Sequence, residues 1–358
     1  MKPTNRTSRI ALVGTAMFVL LAAMWAGLLR MGWAIPPLQP SLANAHGPLM
    51  IAGFLGTLIG LERAVGLGLK WTYAAPILTG LGGLTLIFGW NAVAGAALIT
   101  LGSAVLVAVF GYIIKHQPVL HSYAMGIAAV AWFIGNVLWL FGQPISVVAA
   151  WWAGYLILTI GGERLELSRL LFISQNAKRL FMACVALYLA GAALVPIVYD
   201  WGWRVTGAGM VALAVWLLLH DIAKRTIKQT GLTRFIAACM ISGYVWLGIG
   251  GLMAVWFGFL SGGSYDAVLH SIFLGFVMTM IFGHAAVIFP AVLGIQIPYR
   301  PAWYAHLGAL HLSLLLRVVS DMPEWYPGQK WGAMLNVVAL LLFIGNTVLA
   351  ARSARRKA

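Results

Sequence analysis

"DAVLHSIFLGFVMTMIFGHAAVIFPAVLG", residues Asp266–Gly294, holds no charged side chain after its first residue. A bilayer core of ~30 Å takes about 20 apolar residues at ~1.5 Å each, so this stretch is long enough to cross it. Backbone in hydrocarbon must satisfy its own N–H and C=O groups, which selects a helix. The apolar run is continuous rather than alternating, which excludes a β-barrel strand. Across all 358 residues the chain is 62% hydrophobic and 9% charged, outside the range of soluble domains.

Working outward from this stretch, the sequence divides into twelve apolar spans: Ile10–Leu29, Leu42–Gly60, Tyr73–Trp90, Ala92–Ile114, Ser122–Phe141, Ile145–Gly161, Phe181–Val198, Val205–His220, Phe235–Leu260, Ala267–Phe289, Ala302–Val319 and Trp331–Ala350. The expected fold is an all-α polytopic membrane protein, a single transmembrane domain over residues 1–358. The first span is too long, and lacks a small-residue cleavage site, to be a removed signal peptide.

A net charge of +15 would suit nucleic acid, but its distribution argues for a membrane. With the N-terminus inside, all of the 23 Lys and Arg residues except Arg30, Arg204, Arg317 and Lys330 fall in cytoplasmic segments. This is the positive-inside bias, and it implies an even span count with both termini cytoplasmic. The basic surface faces anionic lipid. Cys184 and Cys239 offer neither a disulfide framework nor a zinc motif and read as packing residues. The inward segment from Glu163 to Leu180 reads as a short interfacial amphipathic helix. The outer loop Ser320–Trp331 carries Pro, Gly and Trp as an interfacial turn.

One internal echo stands out. "AGFLGTLIGLER" (Ala52–Arg63) aligns without gaps on "AGYLILTIGGER" (Ala153–Arg164), four spans later. "HSYAMG" at His121 echoes "HSIFLG" at His270 more weakly. A four-span shift implies three four-helix units with pseudo-threefold symmetry, in which spans 2, 6 and 10 are counterparts.

His46 and His270 each lie about one turn inside the outer end of an inward-running span, on counterparts 2 and 10 in this scheme. Two neutral imidazoles at matched depth on separate helices are what axial haem ligation needs. Gly47, Gly53 and Gly275 on the same helices would leave space for a macrocycle. His284 lies ~21 Å deeper than His270 at ~1.5 Å per residue. With His121, His306 or His311 it would hold a second haem or a copper ion, since imidazole suits copper. The alternative is that these polar groups are satisfied among helix ends and water. The pairs Glu62–Arg63 and Glu163–Arg164 end spans 2 and 6. Helix neighbours do not face each other, so each charge is expected to find a partner elsewhere, as an ionic lock, a propionate clamp or the start of a proton path. His116 and His220 lie beside lysines in loops and receive no role. The aromatics read mostly as interfacial belts. The sequence holds no Walker loop, Rossmann glycine run, HExxH, CxxC or CxxCH motif.

These stretches resemble a known family. "HGPLMIAGF" (His46–Phe54) resembles the NnrS motif H-x-H-E-M-x-x-G-F at His46, Met50, Gly53 and Phe54. "LHSIFLGFVMTMI" (Leu269–Ile281) resembles L-H-A-x-x-x-G-x-x-x-T-M-I at Leu269, His270, Gly275, Thr279, Met280 and Ile281. "LGALHLSLLLRVVS" (Leu307–Ser320) resembles the helix that follows it. The resemblance implies a twelve-span bacterial inner-membrane protein of nitric oxide response that binds haem and copper. It also implies a bundle distantly similar to the haem-copper oxidase catalytic subunit, whose low-spin haem ligands on spans 2 and 10 correspond here to His46 and His270. The family's second His and its Glu are Pro48 and Leu49 here, and spans 6 and 7 hold no His, so the oxidases' copper histidines have no counterpart.

The expectation is therefore one b-type haem on His46 and His270, with a second haem or copper at His284. It would act in electron transfer with a redox partner protein or as an oxidoreductase-like haem protein facing nitric oxide. The competing expectation is a proton- or ion-coupled transporter with intramembrane His and Glu and a helix broken at Pro290. A non-catalytic assembly factor is the third reading.

Overall fold

The computed structural model describes residues 6–167 and 173–355. The chain is an all-α polytopic membrane protein. Among the described residues there is no strand, and eleven helices are long and apolar enough to cross a membrane. We number the long helices α1 (Arg6–Arg30), α2 (Leu42–Leu67), α3 (Lys70–Phe88), α4 (Ala92–His116), α5 (Leu120–Leu140), α6 (Ile145–Leu167), α7 (Gln175–Leu194), α8 (Tyr199–His220), α9 (Gly231–Phe257), α10 (Gly262–Leu293), α11 (Trp303–Asp321) and α12 (Tyr326–Arg355). Each coincides with one span read from the sequence. Helix α11 falls short in apolarity because it carries His306, His311, Arg317 and Asp321.

Helix ends follow local chemistry. The Asn91 side chain accepts from the Ala94 N–H at 2.9 Å and caps the start of α4. Gly89, at φ +65°, ends α3 in the left-handed region. Trp90, Phe141 and Trp256 stand 72–80% exposed at helix ends, and the two Trp rings, apolar with one N–H, suit the membrane interface. The interfacial helix expected over Glu163–Leu180 is not found in the described residues. Residues up to Leu167 continue α6, Gln175 opens α7, and Ser168–Phe172 lie outside the described residues.

The contacts group the chain into two compact units, Met1–Val148 with Ala291–Gly294, and Ala149–Pro290 with Ile295–Ala358. In the first, α3 and α4 approach through small residues. A Cβ on Gly82 would lie 2.8 Å from the Gly95 carbonyl oxygen, and one on Gly102 would lie 3.0 Å from that of Ala75. In the second, α8 and α9 meet at Gly207 and Gly251. A Cβ on Gly207 would stand 2.6 Å from the Gly251 oxygen. Lipid supplies no hydrophobic drive between helices, so close backbone approach and hydrogen bonds hold them together. Tyr188 Oη donates to Ala150 O at 2.6 Å between α7 and α6, and Trp216 Nε1 donates to Ala177 O at 2.8 Å between α8 and α7. Cys184 and Cys239 are buried and unbridged.

The Ala52/Ala153 echo has a packing counterpart. Gly53 of α2 faces Val19 of α1 and, farther off, Gly83 of α3, and Gly60 faces Ala75–Pro76 of α3. Gly154 and Gly161 of α6 face Tyr188 and Phe181 of α7. In both cases the second repeated glycine, Gly60 or Gly161, turns to the next helix in the chain. Helix α10 differs, because its Gly275 and Gly283 face Trp246 and Cys239–Met240 of the preceding α9.

Candidate functional site

His46 follows a short 3-10 turn, Leu42–Ala45, at the start of α2. Its Nδ1 lies 2.8 Å from the Ala23 carbonyl oxygen of α1. A carbonyl only accepts, so Nδ1 carries the proton and Nε2 holds the lone pair. Gly27 makes the niche for the ring: a Cβ there would sit 2.8 Å from His46 Cε1 and 2.9 Å from Nδ1. Three residues on, α2 becomes π-helical over Leu49–Leu55 and returns to α-helix at Gly56. Pro48 has no N–H to give the preceding turn, which is one reason the hydrogen-bond ladder shifts here.

His270 repeats this chemistry in the other unit. Its Nδ1 lies 2.8 Å from the Asp266 carbonyl oxygen, so Nε2 again holds the lone pair. The residues after it, Ser271–Met278, are also π-helical. No proline accompanies the second π-helical stretch. π-Turns are rare and concentrate at functional sites. Behind His270 stands a charged group. Asp266 Oδ2 accepts from Arg317 Nε at 2.8 Å and from Nη2 at 2.5 Å, and Oδ1 lies 3.4 Å from His270 Nδ1. Arg317 is 5% exposed, and the buried Asp321 adjoins Asp266.

The glycines expected to clear space for a macrocycle do not all do so. Gly53 is covered by Val19, at 2.8 Å from a Cβ placed there, and Gly275 by Trp246, at 2.5 Å. Close helix packing consumes that space. Gly47 stays uncrowded, with its nearest neighbour at 3.9 Å.

The deeper histidines have separate settings. His284 Nδ1 lies 2.7 Å from Met280 O, and its Nε2 accepts from Arg164 Nη2 at 2.9 Å. A guanidinium has only donors, so this imidazole is neutral. His306 is 1% exposed in a cage of Phe235, Phe282 and Phe343, with Nδ1 3.1 Å from Asn346 Nδ2. His311 Nδ1 accepts from Trp246 Nε1 at 3.0 Å. His121 lies in the first turn of α5. Among the described residues no group of three or more His, Cys, Asp or Glu is placed to hold a metal ion.

A family model, described as a domain of unknown function (DUF8744), matches residues 9–352. The chain belongs to the DUF8744 family. No curated protein matches it.

Glu62 and Arg63 stand side by side near the end of α2. Their side chains pair at 3.7 Å, and the guanidinium lies 6.0 Å from the centre of the Phe110 ring. Arg164 does find a distant partner, His284. Asp266, Arg317, Asp321, Asp221, Tyr244 and Gly27 were not singled out from the sequence. Arg317 and Arg204 did leave a signal, as exceptions to the positive-inside bias. Arg204 pairs with Asp200 at 3.0 Å and donates from Nη1 to Val255 O at 2.6 Å, closing the end of α9. Asp221 lies one residue past α8, its carboxyl pushed up by burial against the opposing pull of Arg164.

Proposed function

We propose that this protein is an integral haem b protein of the bacterial inner membrane, N-terminus inside, with His46 and His270 as iron ligands. One observation carries the reading. Both histidines precede a π-helical stretch, and both give their Nδ1 proton to a backbone carbonyl at 2.8 Å, an orientation that suits a metal-bound imidazole and that His116, His220 and His284 share without the π-helical stretch. The donor set fits iron. The covered Gly53 and Gly275 do not form the cradle expected from the sequence.

Bound haem would supply one-electron chemistry. The chain's own residues orient the rings. Ala23 and Gly27 fix His46, while the Asp266 carbonyl fixes His270. The Asp266 carboxylate, held by Arg317, makes His270 a more basic ligand. Two imidazole ligands favour electron transfer with a redox partner protein. A role in nitrosative stress, with nitric oxide as ligand, requires one histidine to leave. The reading does not extend to copper at His284, whose Nε2 lone pair already accepts from Arg164.

The test is the absorption spectrum of detergent-purified protein, as isolated and with dithionite. A low-spin b-type spectrum, lost in His270→Ala, supports the reading. A protein that stays colourless after added hemin refutes it. A second reading, a proton- or ion-coupled transporter, is supported by the Arg164 guanidinium held at 4% exposure among membrane helices. Ion movement by colourless protein in liposomes would favour it.

A further inference from the structure

The first turn of α7 and the last turn of α8 lie side by side. Trp216 Nε1 donates to Ala177 O at 2.8 Å, and the Trp216 ring sits 4.8 Å from both Phe181 and His220. Asp221 Oδ1 then accepts the Ala223 N–H at 2.6 Å, where the chain turns into the loop toward α9. This edge gathers Lys178 and Arg179 of α7 with Lys224, Arg225 and Lys228 of the loop. All but the half-buried Lys178 are exposed.

The charge on this edge is not spent inside the protein. Arg63, Arg164, Arg204 and Arg317 each hold a partner within the chain. Among the described residues, Lys178, Arg179, Arg225 and Lys228 have no side-chain hydrogen bond or ion pair, and Lys224 reaches only the Leu219 carbonyl. Between Leu167 and Asp266 the sequence holds two acids, Asp200 at the far end of α8 and Asp221, which is 1% exposed. Glu163 and Glu166, near the end of α6, are already partnered. Five cations gathered on one edge repel one another, and an external anion relieves that repulsion. Along the same two helices, Leu180, Val215 and Leu219 are 54%, 48% and 56% exposed. The positive-inside bias accounts for the sign of these charges. Their gathering at the edge of a bare apolar surface matches an amphiphile, with phosphate at the edge and acyl chain along the helices.

We propose that this edge of α7 and α8 binds an anionic phospholipid, its phosphate held by Arg179, Arg225 and Lys228 and an acyl chain laid along Leu180 and Leu219. Lys178 and Lys224 add to the positive field. A guanidinium meets a phosphate through two N–H groups at once, so the two arginines give direction and the lysines give charge. With the N-terminus inside, the lipid belongs to the cytoplasmic leaflet. The site is independent of the haem reading and stands in a colourless protein.

Native mass spectrometry of the full chain, released from a neutral detergent, tests this. Titrated with phosphatidylglycerol, the wild type should retain a bound lipid at concentrations where phosphatidylcholine leaves it bare, and inorganic phosphate should not displace that lipid. The triple variant Arg179→Gln/Arg225→Gln/Lys228→Gln should weaken the apparent affinity on the order of 100-fold. Lys70→Gln/Lys115→Gln/Arg352→Gln removes the same charge elsewhere and should leave the affinity near that of the wild type. All six residues are exposed, so both variants should fold. Equal binding of the two lipids overturns the proposal, as does displacement by inorganic phosphate. Equal weakening in the two triple variants also overturns it, because the attraction is then to net charge and not to this edge.

Discussion

Gly27→Ala moves the His46 ring without touching His46 itself. The new methyl would meet Cε1 at 2.8 Å and Nδ1 at 2.9 Å. That is roughly 0.6 Å or more inside the ~3.5–4.0 Å of ordinary carbon contacts. The obstacle is the end of a side chain, so the ring turns away rather than the helices parting. The cost is then the hydrogen bond to Ala23 O, about 0.5–1.5 kcal/mol net, plus a displaced rotamer at about 0.5–1.5 kcal/mol. A total of roughly 1–3 kcal/mol is expected from these two terms. The assay is equilibrium unfolding in detergent, followed by Trp fluorescence, on Gly27→Ala, His46→Ala and the double variant. The methyl has nothing to strike once the ring is gone, so the double variant should be more stable than the sum of the singles by about 1 kcal/mol or more. If His46 ligates haem, Gly27→Ala should also lose it while retaining the fold. Strict additivity, or a Gly27→Ala protein of wild-type stability and spectrum, would refute the reasoning.

Three further outcomes follow from the same contacts. Gly251→Ala, whose methyl would lie 2.8 Å from the Gly207 carbonyl oxygen, should cost about 1–3 kcal/mol in unfolding free energy because backbone cannot step aside. Arg317→Ala strands Asp266 beside the buried Asp321 and should cost about 3 kcal/mol, the low end for breaking a buried pair because Asp266 is partly exposed; Arg317→Lys should recover only part, lacking the two-point contact. Burial raises the Asp221 carboxyl, so the native state holds its proton to higher pH than the unfolded chain. Its contribution to stability is complete below the ordinary carboxylate range and is lost as pH rises through the native value. Thermal unfolding of the wild type should therefore weaken with rising pH relative to Asp221→Asn; parallel profiles would contradict this.

The spans were legible because membrane thickness imposes a length and composition on each one. Even α11 was recoverable, although His306, His311, Arg317 and Asp321 dilute its apolar face. What joins the spans was not legible. Arg164 and His284 stand 120 residues apart and share no local pattern. Gly27 serves His46 across two helices. The π-helical stretches at Leu49–Leu55 and Ser271–Met278 lie in uniformly apolar runs, where a changed helical period leaves no trace. Gly53 and Gly275 misled for a related reason: a missing side chain marks close approach, whether the neighbour is a cofactor, Val19 or Trp246. Arg317 and Arg204 were legible only as charges on the wrong side, and that was a usable sign of a local partner.

Chemical rescue shows whether His46 and His270 ligate haem iron. Wild-type protein, His46→Gly and His270→Gly are purified with hemin, and their ferric spin state is read by low-temperature electron paramagnetic resonance before and after free imidazole is added. Ligation by both histidines gives a low-spin wild type, loss of the low-spin signal in each glycine variant, and its return when imidazole fills the vacated position. A low-spin signal that persists in either variant without imidazole would contradict it.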